Sequence, residues 1–226
     1  MKKSINMNRY SRQLGLLNVP KSKNTTIHIL GVGGIGVVTA MILSKMGIGT
    51  LIIYDKDTVE VENLNNQFFS TDTIGQNKVD ATQCALEEYG DTENIVANHV
   101  DLEKTTPKIK DDDIVIMCLD SNNLRKDLYK RMKLNKTNFI IDTRMNGLMF
   151  EVNASTNKKH IPVPTDKEVG ESACTEKAIC YNVFGAGSVV GAFVRNWIQE
   201  EFTLYNELPR QIIMDMRNFI LINNKL

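Results

Sequence analysis

The stretch from Ile27 to Asp57 leaves this chain little freedom in how it folds. An apolar strand, Ile27 to Leu30, runs straight into Gly31-Val-Gly33-Gly34-Ile-Gly36. Ile35, Val38, Ile42, Leu43 and Met46 then recur at helical spacing, and the helix they predict ends near Gly47. A second strand, Leu51 to Tyr54, closes on Asp55-Lys56-Asp57. The glycines allow a tight strand-to-helix turn whose backbone N–H groups and helix dipole suit phosphate. An acid at the end of the second strand suits a ribose hydroxyl. Glycine loop, helix and acid in this order point to a nucleotide.

The alternation continues downstream. Lys78 to Tyr89 reads as an amphipathic helix, with Val79, Thr82, Leu86 and Tyr89 on one side and Gly90 as its stop. Ile95–Val100, Ile114–Cys118 and Phe139–Asp142 read as strands, and Leu124, Leu128 and Met132 mark a helix among them. Nearly continuous apolar strands separated by helices predict an α/β fold with a doubly wound, mostly parallel, Rossmann-like sheet. The pattern changes at Leu148, Phe150, Val152 and Ala154, whose strict alternation predicts an antiparallel strand. Asn157 to Ser172 is expected to be a long loop, followed by a helix from about Ala173 to Phe202. Gln211–Met214 and Phe219–Ile222 are expected to close the sheet as an antiparallel C-terminal hairpin. We expect one domain over residues 1–226, with an N-terminal arm over 1–26 and a crossover-type loop over 155–173.

Lysine plus arginine equal aspartate plus glutamate at 27 each, so charge gives no reason to expect a nucleic-acid or membrane partner. Met1 to Tyr10 is polar and has no apolar centre, and Val183 to Val194 is too short to cross a bilayer. A cytoplasmic location is the expectation. Cys84, Cys118, Cys174 and Cys180 form no CxxC pair, which argues against a zinc site. His160 stands alone in the long loop with no second ligand beside it.

Five short motifs stand in one order along the chain: Arg9-Tyr-Ser-Arg12-Gln13, the glycine loop, Asp55-Lys-Asp57 with Val59, Gly75-Gln-Asn-Lys78, and Asp120 with Arg125. Together they resemble the ThiF/MoeB/HesA family, whose larger relatives are the ubiquitin-activating enzymes. The resemblance covers Arg9 to about Trp197. It implies an adenylyltransferase that uses ATP and magnesium to activate the C-terminal carboxylate of a ubiquitin-like protein or peptide. It also implies roles for individual residues. Lys78 brings positive charge to the phosphates, Asp120 positions magnesium, and Asp55 takes the ribose. Gly31, Gly33, Gly34, Gly36, Asp57, Asn63, Asn66 and Gln67 complete the nucleotide site. Arg12 reaches a phosphate from the partner subunit of a homodimer. One position departs from the pattern: Asn66 stands where the family usually has arginine, and brings no charge.

Other readings stay open at this stage. A glycine loop with a strand-end acid also suits NAD, although Lys78 and Asp120 have no role there. A non-catalytic partner subunit would keep the fold and tolerate Asn66. Asp120 alone reads as a helix N-cap, and Lys78 alone as a solvated helix-start residue. Cys174 is expected in the first turn of the long helix, capped by Ser172, where the dipole favours a thiolate nucleophile; a buried structural thiol is the alternative. Cys84, Cys118 and Cys180 read as core packing, and Trp197 as core or dimer interface.

Overall fold

A computed structural model describes residues 7–163, 178–201 and 207–226. The elements run α1 (Val19–Asn24), β1 (Thr26–Leu30), α2 (Gly34–Lys45), β2 (Thr50–Asp55), α3 (Lys78–Tyr89), β3 (Asn94–His99), β4 (Ile114–Met117) and α4 (Asn122–Arg131). Then follow β5 (Phe139–Asn146), β6 (Met149–Ser155), α5 (Cys180–Gln199), β7 (Arg210–Asp215) and β8 (Ile220–Lys225). One eight-stranded sheet has the order β3-β2-β1-β4-β5-β6-β7-β8. β3 through β5 in that order are parallel, and β6, β7 and β8 add antiparallel. This is the doubly wound sheet with an antiparallel extension that the hydrophobic pattern predicts.

Burial follows the alternation of side chains across the strands. Ile27 and Ile29 join Leu51, Ile53, Ile114 and Ile116 on one face, under α2, α3 and α5. Leu30, Tyr54, Val115, Met117 and Ile140 line the other face, under α4. The helices α2 and α5 meet through glycines: a Cβ on Gly187 would lie 3.0 Å from Val38, and one on Gly191 would lie 2.9 Å from Ile42. The small residues of α5 thus serve packing within the chain rather than a free surface for a second copy. Trp197 stacks on Phe139, with ring centroids 4.6 Å apart, and belongs to the core.

Three expectations are corrected. The long helix starts at Cys180, not Ala173, because Ile179 is extended (φ −106°, ψ 142°) and forms its N-cap; Glu200, left-handed at φ 57°, closes its other end. Ser172 and Cys174, the cap and the thiol expected at its start, lie outside the described residues. Cys84 and Cys180 are exposed, so neither packs the core; Cys84 points away from the buried stripe of α3, and Cys180 opens α5. Within the N-terminal arm, the Asn18 cap and Pro20 open the short helix α1.

Candidate functional site

The carboxyl ends of β1, β2 and β4 converge on one edge of the sheet, and the predicted residues from Gly31 to Asp120 are distributed around it. Gly31 leaves β1 at φ 92°, a left-handed conformation that favours glycine. A Cβ there would sit 2.7 Å from the Cys118 carbonyl oxygen, and one on Gly36 only 2.0 Å from the Gly31 carbonyl oxygen. Gly33, by contrast, faces open space. The loop is therefore tight where it packs on the sheet and open where α2 begins. That is the shape of a phosphate cradle.

Asp55 is bound to this loop directly. The Val32 N–H donates to Asp55 Oδ2 at 2.8 Å, and the Asp57 N–H donates to Oδ1 at 2.9 Å. Burial raises the Asp55 pKa above the ordinary carboxylate value, while those two N–H groups and the Lys78 charge pull it back down. Lys78 is held by main-chain pairing. Its own N–H donates to the Asp57 carbonyl at 2.9 Å, and the Val59 N–H donates to the Gln76 carbonyl at 2.8 Å. An antiparallel bridge joins Thr58 to Asn77 between them. Two motifs separated by some twenty residues of sequence thus become one clamp. It leaves the Lys78 side chain 10% exposed and its Nζ 3.2 Å from Asp57 Oδ2, at a small cleft shared with Lys56, Thr58 and Glu60.

The Asn63–Gln67 segment covers the other side of the loop. Asn63 Oδ1 accepts the Glu60 N–H at 2.9 Å in a reciprocal cap of a 3-10 turn. The Asn66 carbonyl oxygen lies 3.6 Å from where a Gly34 Cβ would stand. The side-chain oxygens Asn66 Oδ1 and Gln67 Oε1 are buried without a hydrogen-bond partner. Unpaired buried acceptors are uncommon, and the main chain that carries them adjoins the glycine loop at Asn66.

Asp120 lies beyond the end of β4, exposed, and its carboxylate engages no other described residue. It is not the cap of α4; Ser121 is, accepting the Leu124 N–H at 3.2 Å. Arg125 does not pair with Asp120. It is 2% exposed and donates to Asp142 Oδ1 at 2.7 Å, to the Thr143 carbonyl at 2.7 Å and to the Leu119 carbonyl. Tyr129 and Arg144 complete the shell around the fully buried Asp142. Arg125 thereby fixes the main chain that presents Asp120. Spacing could not reveal this, because Asp142 is brought in by the β4–β5 pairing. Cys118, in the same neighbourhood, has its thiol pKa pushed up to about 11 by burial.

Arg12 is not brought to this edge. Arg9 donates to the Gly90 carbonyl at 2.6 Å, Gln13 to the Lys45 carbonyl at 3.1 Å, and Tyr10 is buried against Gly47. All three anchors lie at the far ends of α2 and α3. Each helix has twelve residues, so about 18 Å of helix separates Arg12 from its own glycine loop. No group of three or more potential metal ligands occurs among the described residues.

Fold and site together define an α/β protein with a phosphate-type glycine loop, a ribose-type acid and a lysine clamped beside them. The model of the ThiF family matches residues 7–194, and the chain belongs to that family. Ubiquitin-like modifier-activating enzyme 5 of Drosophila pseudoobscura pseudoobscura is 43% identical over 88 residues, covering 36% of this chain and 22% of that protein. The Arabidopsis thaliana enzyme of the same name is 39% identical over 90 residues, covering 37% and 21%. The matched segment thus spans about a fifth of the curated relatives' own length. Among solved structures, E. coli MccB with MccA-N7isoASN superposes with a TM-score of 0.78 at 20% identity, over 97% of this chain and 72% of that one. MccB with ATP gives 0.76 at 20% identity, over 99% and 72%. PaaA gives 0.73 at 20% identity, over 100% and 75%. These superpositions establish a shared fold.

Proposed function

We propose that this chain adenylates the C-terminal carboxylate of a ubiquitin-like protein or peptide, using ATP and releasing pyrophosphate. The observation that carries the reading is the clamp that holds Lys78 and Asp57 beside the Asp55-bound glycine loop. A dinucleotide oxidoreductase has no use for that lysine. The names of the relatives, and MccB with its MccA peptide, support the substrate class.

The chemistry follows from charge. An oxygen of the substrate carboxylate attacks the α-phosphorus, the bond to the bridging oxygen breaks, and that oxygen leaves with pyrophosphate. Two anions must approach and a third must depart, so positioning and charge neutralisation are the catalytic tasks. The cradle at Gly33 and Gly34 receives phosphate oxygens on backbone N–H groups, and the Asp55 carboxylate accepts a ribose hydroxyl. Lys78 Nζ has three donors and directs one to Asp57, which leaves donors for phosphate. Magnesium, when bound, would neutralise phosphate charge; Asp120 fits as its single protein carboxylate because such ions take few protein ligands beside nucleotide phosphates.

Among the described residues, the lysines at the cleft are already paired. Lys78 faces Asp57, Lys56 faces Asp101 and Glu103, and Asn66 is neutral. We therefore infer a homodimer in which the partner's Arg12 enters the cleft. The same pairing favours one alternative, a partner subunit that binds nucleotide without turning it over. Exchange of labelled pyrophosphate into ATP, with candidate small proteins or peptides, separates the two. Exchange supports the enzyme, and ATP binding without exchange at any partner supports the subunit.

A further inference from the structure

One buried polar side chain ties together the three strands that deliver the site. His28, on β1, is 1% exposed. Its Nδ1 lies 3.0 Å from the Tyr54 hydroxyl on β2, and the two rings stack at 5.9 Å with 12° between their planes. Its Nε2 lies 3.0 Å from Asp113 Oδ2, in the turn ahead of β4, and that oxygen also accepts the Lys110 N–H at 2.9 Å. An ionised carboxylate only accepts, so Nε2 carries the hydrogen and Nδ1 accepts the Tyr54 O–H. Tyr54 in turn holds the glycine loop. Its carbonyl accepts the Gly31 N–H at 2.8 Å, and Asp55, the next residue, accepts the Val32 N–H.

We propose that His28 is a positioning residue for nucleotide binding: through Tyr54 it fixes the Tyr54–Asp55 strand end against the glycine loop, and its protonation loosens that hold. The proposal rests on the nucleotide reading of the loop. A protonated imidazole donates from both nitrogens, so the Tyr54 hydroxyl loses its acceptor inside a packed layer. The titratable and charged groups facing the ring are Tyr54 from β2, and Asp113 and Lys110 from the turn before β4. Burial holds the His28 pKa below its ordinary value against the opposing pull of Asp113, so the loosening falls on the acid side of the usual histidine range.

Tyr54→Phe removes the hydroxyl and keeps the packed ring. Calorimetry on wild type and variant from about pH 8 to about pH 5.5 gives ATP affinity across the histidine range. Ionisation of ATP and of Asp55 is common to both proteins and cancels in their ratio. The variant should bind about fivefold more weakly at the alkaline end, the worth of one ordinary hydrogen bond. The ratio should then approach one as His28 protonates. A ratio that ignores pH, in two proteins with equal unfolding temperatures, overturns the proposal. In ligand-free protein, NMR follows the His28 ring together with the Gly31 and Val32 amides. Those amides should lose exchange protection as the ring titrates in wild type, and not in the variant. Ring titration without any amide response overturns the proposal whether or not nucleotide binds. An amide response in a protein that binds no ATP keeps the coupling and rejects the nucleotide reading instead. His28→Gln, which pairs with Tyr54 but takes no proton, should abolish the pH response and serves if Tyr54→Phe does not fold.

Discussion

Substitutions at Lys78 and Asn66 change the charge beside the glycine loop without touching its main chain. Lys78→Ala removes an ammonium whose charge is felt by Asp55 but only an ion pair to a half-exposed Asp57, so stability should hardly change. Turnover should fall by about a hundredfold or more, because the charge acts chiefly on the transition state. Pyrophosphate exchange and thermal unfolding, measured side by side, check the split; exchange near wild type would remove Lys78 from the mechanism. Asn66→Arg should raise exchange, since charge-assisted, bidentate contacts to phosphate are roughly twice as strong as neutral ones. No gain in exchange with tighter ATP binding would mark a site that holds nucleotide without using it. Residues of this kind were legible from sequence where a motif fixes its own geometry. The glycine loop and Asp55 needed only local order and spacing. The part Arg125 plays was not legible, because its partner Asp142 reaches it only when β5 pairs with β4. His28 was passed over for the same reason: Tyr54 and Asp113 come from two other segments of the chain.

At the scale of elements, the strand–glycine–helix unit separates fold from function within three residues. Gly36→Ala would place a methyl group 2.0 Å from the Gly31 carbonyl oxygen, a backbone atom that cannot retreat. The substitution should destabilise by roughly 3 kcal/mol or more, visible in denaturant unfolding. Gly33 is unstrained and faces open space, so Gly33→Ala should leave unfolding almost unchanged. It should nonetheless weaken ATP binding, because the methyl group stands where phosphate approaches the backbone. Equal losses of stability in the two variants would contradict this division. The parallel strands were readable as apolar runs, and β6 by its alternation. The start of α5 was not, because the helical periodicity of its apolar residues locates a face rather than a first residue. Cys180 is the thiol that opens α5, exposed beside Tyr181.

For the whole molecule, the arm and the cleft lie at opposite ends of α2, and this decides how two copies can cooperate. Arg9, Tyr10 and Gln13 bind their own chain at the far ends of α2 and α3, so Arg12 cannot serve its own cleft without tearing the arm away. An arginine acting across a two-fold interface has a signature that no monomer can imitate. On the proposed homodimer, Arg12→Ala and Lys78→Ala should each be nearly inactive alone, each lacking one of the two charges that the proposal brings to every cleft. In a mixed dimer, one cleft combines an intact Lys78 with the intact Arg12 of the other subunit, while the second cleft lacks both. Random pairing of equal amounts makes about half of the dimers mixed, each with one working cleft of two, so activity should recover to about a quarter of wild type. Sedimentation of the same mixture should show a dimer. If mixing restores nothing while the dimer is present, Arg12 is a surface residue of the arm. If a monomer is fully active at dilution, the cleft draws its missing charge from within the chain.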